Sequence, residues 1–501
     1  MAALAVLLLL LLTDRSGGFQ QRADFRRRRR RRAVGPAAAS PSASPGPADG
    51  GPGVPPARVG IIGAGSIALG TASLLGSRGH APVVYSPSGG GTRERQADGG
   101  GLSVRSAGAI EGRFEVGVAR SPGDLVRSSG DVLLLALPAN GHKRMMEQFA
   151  PAISERLEGL RDGARFEVMI SSHASLGAVY LMETVRSKLL ETHPEEACNN
   201  LLGRMRISAW GTTAVTARRT AGDAVNVLTV REAVDFCTVP CTEGTAEDDA
   251  ASCSALLTRL FGDRFRFRDG GLLAISLSNL NPQNHLGIVL GNMSRMDPAP
   301  RPPPVEVGGE LRSFPESEPE PWWQGKSITP AVGNLMEALD GERIDIAAAL
   351  GLELRTIHEH FSWSFHVPMT TPVEGDSAMT RPTTVSEMSQ IMHFLGRDVL
   401  GPSSLDTRYV SEDVPYGLVL TVLLGQLVGK PAKLHESGIA ILSAMYGLDF
   451  MNQNDLLLDL GLMDGRYVLE DFQRMAYSGS FSSEKQHETL ERPKARETAN
   501  R

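Results

Sequence analysis

Gly63-Ala64-Gly65-Ser66-Ile67-Ala68 follows directly on the short apolar run Arg58-Val59-Gly60-Ile61-Ile62. Residues of these types at this spacing hold the pyrophosphate of a dinucleotide. Gly63 permits a tight turn, Gly65 lets the backbone approach the phosphates, and Ala68 allows a helix to pack closely on the strand. The helix predicted from Ile67 to Ser77 would offer its N-terminal N–H groups to the anion. A second predicted strand, Ala81 to Tyr85, ends at Ser86, and the loop behind it runs Pro87-Ser88-Gly89-Gly90-Gly91-Thr92-Arg93-Glu94-Arg95. A carboxylate at that strand end would bond the ribose 2′-hydroxyl of NAD(H). Hydroxyls with arginines nearby suit a 2′-phosphate better, which favours NADP(H), with NAD(H) as the alternative.

These residues need a sheet to hold them. Two more strand-like runs fit the same domain: Asp131 to Leu137, ending in Pro138-Ala139-Asn140-Gly141-His142, and Phe166 to Ile170, ending in Ser171-Ser172-His173. Strand ends in such sheets face the cofactor crevice, which makes Pro138 a cofactor-contact candidate and brings His142 and His173 near it. Arg206 to Trp210 and Val225 to Val230 extend the sheet to about residue 270. From there the apolar spacing turns helical, over Leu272 to Leu280, Gly287 to Met293, Thr329 to Leu339, Ile344 to Leu354, Leu418 to Val428 and Lys433 to Tyr446. The fold class is therefore an α/β Rossmann domain with a doubly wound, mostly parallel sheet, followed by an all-α C-terminal domain. The segment from Asp297 to Pro321, with its prolines and five glutamates, is too long for a plain connector and reads as a lid or an insertion.

Composition sets the outer limits. The chain has 501 residues, and its 51 Lys+Arg against 57 Asp+Glu average two unlike pieces. Residues 1–57 hold nine bases against three acids, and the remainder holds 42 bases against 54 acids, a net charge of −12. A body that acidic lacks the clustered basic face nucleic acid requires. Ala2 to Leu12 is an apolar stretch of eleven residues, too short to span a bilayer and of signal-peptide length. It is followed by the Arg26–Arg32 run and by Ala33 to Ala57, where seven Pro and five Gly lie among Ala and Ser and cannot bury a core. A hydrophobic leader ahead of a basic peptide beginning near Phe19 resembles the two-part presequence of algae with complex plastids. Organellar import is the expectation, to a complex plastid or, alternatively, a mitochondrion, with the mature protein free of any membrane span. The expected domains are a targeting and disordered linker segment (1–57), a Rossmann domain (58–270), a helical substrate domain (271–478) and a polar tail (479–501). Cys198, Cys237, Cys241 and Cys253 form no zinc pattern, so no metal is expected.

Three phrases in the helical half carry a family resemblance: Asn279-Leu280-Asn281-Pro282-Gln283-Asn284-His285, Leu339-Asp340-Gly341-Glu342-Arg343-Ile344, and Arg408-Tyr409-Val410-Ser411-Glu412-Asp413-Val414-Pro415-Tyr416-Gly417-Leu418. In this order behind a Rossmann domain, over residues 58 to about 470, they resemble the octopine/nopaline (opine) dehydrogenase family. The resemblance implies that an amino acid and an α-keto acid condense to an imine, which takes a hydride from the nicotinamide, reversibly. It implies a catalytic His–Asp pair, His285 and Asp413, and a substrate-carboxylate arginine, Arg408. One departure is visible: members commonly have Pro after the His, where this chain has Leu286.

The chemistry suits those residue types on its own terms. Reduction of a carbonyl or imine needs a proton donor, and His exchanges protons near neutral pH. A carboxylate on the second ring nitrogen fixes its tautomer. Arg offers a planar fork to a carboxylate. Asn281 is a helix cap or a substrate contact, and Glu342–Arg343 reads as a structural ion pair. The alternatives are His285 as a helix-start residue and Asp413 as an N-cap. At the level of the whole chain, the rivals are a keto-acid reductase of ketopantoate reductase or glycerol-3-phosphate dehydrogenase type, or a dinucleotide sensor without catalysis. The first would supply a catalytic Lys, and Lys326 is the only Lys between Lys188 and Lys430. The expected partners are small molecules, with the protein a monomer or homodimer.

Overall fold

The sequence alternates short Val/Ile/Leu runs with helices in its first half, and these runs pair into one large sheet, as continuous apolar strands buried on both faces do. The computed structural model describes residues 56–90, 92, 100–130, 132–239, 246–297, 304–312 and 321–480. The expectations for the leader and linker, for Arg93, Arg95 and Cys241, and for all but two residues of the tail fall outside them. The strands are β1 (Arg58–Ile62), β2 (Ala81–Tyr85), β3 (Leu102–Gly108), β4 (Gly112–Val118), β5 (Val132–Leu135), β6 (Phe166–Ile170), β7 (Met205–Trp210), β8 (Val215–Ala221), β9 (Ala224–Val230), β10 (Val234–Val239) and β11 (Phe265–Phe267). They lie in the order β11-β10-β7-β6-β5-β1-β2-β4-β3-β9-β8. From β7 to β4 the neighbours run parallel, and antiparallel pairs enter at β10–β7, β3–β4 and β8–β9.

Strand order reverses at β1, with β2 on one side and β5 on the other, so the crevice of a doubly wound sheet opens there. The helix behind β1, α1 (Ser66–Ser77), lies inside a curl of the sheet. The far strand β8 returns onto it so closely that a Cβ added at Gly70 would stand 2.9 Å from the Ala217 Cβ. Val59, Ile61, Leu69, Leu75, Val215, Ala217 and Val227 form the apolar core within this curl.

On the outer face of the sheet lie α2 (Pro122–Ser128), α3 (His142–Glu158), α4 (Gly177–Leu190) and α5 (Glu195–Leu202), with α6 (Ala246–Phe261) behind β10. The helical half comprises α7 (Gly271–Ser278), α8 (Asn281–Met296), α9 (Gln324–Ser327), α10 (Pro330–Ala349), α11 (Ile357–Phe365), α12 (Val385–Phe394), α13 (Arg408–Ser411), α14 (Val419–Leu427), α15 (Lys433–Tyr446), α16 (Asp455–Asp459) and α17 (Leu469–Ser478). Two small hairpins are added to it, β12 (Val305–Val307) with β13 (Glu310–Arg312), and β14 (Thr370–Val373) with β15 (Asp376–Pro382). The first falls within the Pro-rich segment that reads as a lid or insertion. One core joins the outer face of the sheet to the helical half, running through Leu135, Ile170, Leu176, Met182, Leu272, Leu286, Met336, Val414 and Leu457. Among the described residues no helix is long and apolar enough to cross a membrane.

Candidate active site

The turn between β1 and α1 has the shape a pyrophosphate needs. Gly63 takes φ +129°, which side chains rarely adopt, and its added Cβ would stand 2.7 Å from the Ala136 carbonyl oxygen. Its N–H donates to the Tyr85 carbonyl at 2.8 Å, tying the turn to the end of β2. Gly65 is exposed, and an added Cβ there meets nothing within 4 Å, which is open space beside bare backbone. The first turn of α1 carries no acidic residue and no side-chain cap. Its opening N–H groups therefore have no intrahelical acceptor, the arrangement that receives an anion. Ala64 and Ala68 are buried, and Ser66 and Ile67 are half-buried at the helix start. These residues fit a nicotinamide dinucleotide. Ser86 is buried at the end of β2, with its hydroxyl 3.4 Å from that of Ser88, and no carboxylate stands between Ser86 and Gly90. Pro138 leads into the turn between β5 and α3, half-buried at the crevice.

Facing this crevice, α8 presents His285 and the chain behind α13 presents Asp413. The His285 Nδ1 lies 2.6 Å from the Asp413 Oδ2, with both side chains mostly buried. Asp413 makes no cap bond to the turn it precedes, so its carboxylate serves the imidazole instead of acting as an N-cap. That turn, Val414–Leu418, is a π-helical segment of the kind often found at functional sites. It lies against α8 because residue 417 is glycine: an added Cβ would stand 2.2 Å from the Pro282 Cγ. The Ser175 hydroxyl donates to the Tyr416 carbonyl at 2.5 Å, and the Asn454 amide donates to the Pro415 carbonyl at 2.8 Å. Ser175 sits at φ +51° in the loop after β6, so the sheet fixes the turn directly.

The ring of Tyr409 stacks on that of His285, with centroids 3.5 Å apart and planes 7° from parallel. Its hydroxyl is bonded to the buried Gln324 amide, and burial raises the phenol above its ordinary range, against the lowering effects of Gln324 and of Arg218 from β8. The stack covers one imidazole face and Asp413 holds one nitrogen, which leaves Nε2 as the working atom.

Arg408 is largely exposed, and its Nε donates to the Glu412 Oε2 at 2.7 Å. The other oxygen of Glu412 accepts the Ala139 N–H at 2.8 Å, in the turn after β5. Burial raises the Glu412 carboxyl, with Arg408 opposing and Asp413 reinforcing that shift. Sequence reasoning passed over Glu412 and Tyr409, although both stand inside the phrase that carries Arg408 and Asp413. The signal was their adjacency to those two residues. Asn281 is the first residue of α8, one turn before His285, and its N–H donates to the Asn279 side chain at 3.1 Å, while the N-cap position is held by Leu280 without a side-chain cap.

The structure corrects one expectation and accounts for others. Arg343 pairs not with Glu342 but with Asp340, with Nη2 2.6 Å from Oδ1. Residues three apart share a helix face, and adjacent ones do not. Fully buried, Arg343 also donates to the Leu277 and Arg355 carbonyls, which secures the end of α7 just before the Asn279–His285 phrase. Glu342 instead accepts the Leu434 N–H at 2.9 Å and binds the His435 ring at 2.8 Å, at the start of α15. Leu286, in place of the family's Pro, is fully buried in a notch left by Gly438, where an added Cβ would stand 2.7 Å from it. His142 and His173 are both fully buried and serve the packing of the crevice floor. Lys326 is exposed. Cys198, Cys237 and Cys253 are free buried thiols, and among the described residues no group of His, Cys, Asp and Glu is arranged to hold a metal.

Residues 268–446 match the model of the NAD/NADP octopine/nopaline dehydrogenase alpha-helical domain. The opine dehydrogenase of Arthrobacter sp. (strain 1C) is 26% identical over 339 residues, 68% of this chain and 77% of that protein. Octopine dehydrogenase in complex with NADH and agmatine shares the fold at TM-score 0.58 and 16% identity, over 85% of this chain and 99% of that one. Yersinopine dehydrogenase with NADP+ bound does so at TM-score 0.51 and 15% identity, over 84% and 98%. With the dinucleotide turn and the helical domain in place, the chain is an NAD(P)-dependent oxidoreductase similar to the opine dehydrogenases, whose alpha-helical domain its residues 268–446 match.

Proposed function

We propose that the chain joins the amino group of an amino acid to the carbonyl carbon of an α-keto acid and reduces the resulting imine, reversibly, with NADP(H) preferred to NAD(H). The observation that carries this reading is the 2.6 Å bond between His285 and Asp413, on the helical face of the crevice opposite the dinucleotide turn. The cofactor supplies the hydride. Gly63, Ala64, Gly65 and the opening of α1 hold its phosphates, and Ser86 and Pro138 line its path. Arg408 directs its two Nη groups, which Glu412 leaves unused, to the keto-acid carboxylate. Asn281 orients the substrate one helical turn from His285.

In the forward direction the His285 Nε2 takes a proton from the substrate ammonium, and the freed amine attacks the keto carbon. The imidazolium, stabilised by Asp413, returns that proton to the carbinolamine hydroxyl, which leaves as water. The protonated imine accepts the hydride, and the secondary amine formed takes up one proton from solvent. The preference for the 2′-phosphorylated cofactor is supported by the absence of a carboxylate at the end of β2.

The test is NADPH oxidation with a panel of α-keto acids, with and without a panel of amino acids. The expected result is turnover that requires both substrates. Turnover with keto acid alone would leave a simple keto-acid reductase in its place. Import through residues 1–57 is a further part of the proposal, supported by their composition and checked by the mass of the mature N-terminus in its native host.

A further inference from the structure

The dinucleotide turn has a charged neighbour that neither its spacing nor the family phrases disclose. Arg219 lies on β8, at the far edge of the sheet, and the curl of the sheet over α1 brings it onto the first turn of that helix. Its backbone N–H donates to the Ser66 hydroxyl at 3.0 Å. Its guanidinium is fixed by carbonyls alone. Nε donates to Ala221 at 3.1 Å, Nη2 to Gly222 at 2.5 Å, and Nη1 to both Ala64 at 3.0 Å and Gly90 at 3.4 Å.

Two properties follow. Ala64 belongs to the turn that receives the pyrophosphate, and Gly90 belongs to the loop behind β2, where the adenosine ribose of a bound dinucleotide is read. The guanidinium therefore bridges the two loops that bracket that ribose. It is also uncompensated, because no carboxylate pairs with it among the described residues, whereas Arg105 nearby on β3 is paired with Asp223 at 3.0 Å. A half-buried positive charge held only by carbonyl dipoles, with one Nη2 hydrogen left over, is pre-organised for an anion.

We infer that Arg219 is the specificity residue for the 2′-phosphate of NADP(H), acting from the returning edge of the sheet in place of the carboxylate that selects NAD(H) at the end of β2. This rests on the reading of the chain as a dinucleotide-dependent enzyme. It goes beyond that reading by assigning the selection to a residue 153 positions from Ser66.

Binding alone is sufficient to test it. NADPH, NADH, 2′,5′-ADP and 5′-ADP are titrated into the full chain and into Arg219→Gln by calorimetry. The unsubstituted protein is expected to bind NADPH and 2′,5′-ADP more tightly than NADH and 5′-ADP. The variant is expected to lose about 10- to 100-fold in affinity for the 2′-phosphorylated pair, the worth of a charged hydrogen bond, and under threefold for the others. Equal weakening of all four ligands would assign Arg219 to holding the loops and overturn the proposal, as would no change in any. If Arg219→Gln does not fold, Arg219→Lys keeps the charge and loses the fork. It is then expected to retain part of the selectivity, and full retention of the unsubstituted NADPH/NADH ratio with weaker binding overall would overturn the proposal. An unsubstituted protein that binds none of the four removes both the proposal and the reading beneath it. One that binds NADH as tightly as NADPH removes only the proposal.

Discussion

His285 has one nitrogen on a carboxylate, one ring face on Tyr409 and a mostly buried side chain, so its remaining nitrogen has a fixed direction. A group held this way acts on a proton and contributes nothing to the dinucleotide turn, which is built from another part of the chain. His285→Ala is therefore expected to lower the turnover rate by about 10² to 10⁴, the range for a positioned acid–base group, with NADPH affinity unchanged. Steady-state kinetics combined with dinucleotide titration check this, and unchanged turnover would take His285 out of the mechanism. The pairing with Asp413 was legible in the sequence because both residues sit in phrases that resemble a family. The Tyr409 stack was not, since a ring's plane depends on what surrounds it and leaves no mark in residue spacing.

Elements bring these residues together through close approaches that only small side chains allow. The π-helical turn reaches α8 because Gly417 has no Cβ to strike Pro282, and α15 reaches Leu286 because Gly438 has none. Gly417→Ala is expected to push the turn off α8, carrying Asp413 away from His285, at a cost of about 1 to 3 kcal/mol in stability, the usual penalty for overpacking. A lowered melting midpoint together with a lowered turnover rate would show it. A variant as active and stable as the parent would mean that the turn is positioned by Ser175 and Asn454 alone. The strands β1, β2, β5, β6, β7 and β9 were readable as apolar runs, and α1 from its glycines, whereas β3 and β4, with several exposed polar or glycine positions, were not. The return of β8 onto α1 was not readable, because a sheet's curl is set by the summed twist of its strands and by side chains distant in sequence. Arg219 was missed for that reason. The Asp340–Arg343 pair was missed for a simpler one: adjacency on the chain suggested Glu342, and helix geometry chose the residue three positions back.

At the scale of the molecule, the sheet and the helical half share one apolar core, and two histidines are sealed into its crevice side, at the ends of β5 and β6. His142 has its Nε2 3.1 Å from the Leu137 carbonyl oxygen, and the His173 Nε2 accepts the Ala178 N–H at 3.2 Å. Burial depresses His142 to about 4, opposed only by the Leu137 contact. Burial, reinforced by the neighbouring His142, depresses His173 to about 3. In the unfolded chain both would titrate near 6.5. Between those values the unfolded state binds protons that the folded state refuses, so stability falls as pH falls, from about 6.5 down to about 4 for His142 and about 3 for His173. For His142 alone the loss at pH 4 is of order 3 kcal/mol, since each tenfold change in proton affinity between the two states is worth about 1.4 kcal/mol. The melting midpoint is therefore expected to drop steeply below pH 6.5, and His142→Asn, whose side chain does not titrate, to start lower at pH 7.5 and lose less over the same interval. Midpoints measured at half-unit steps from pH 7.5 to 4 decide it. Parallel curves for the two proteins would mean that acid sensitivity arises outside the crevice floor.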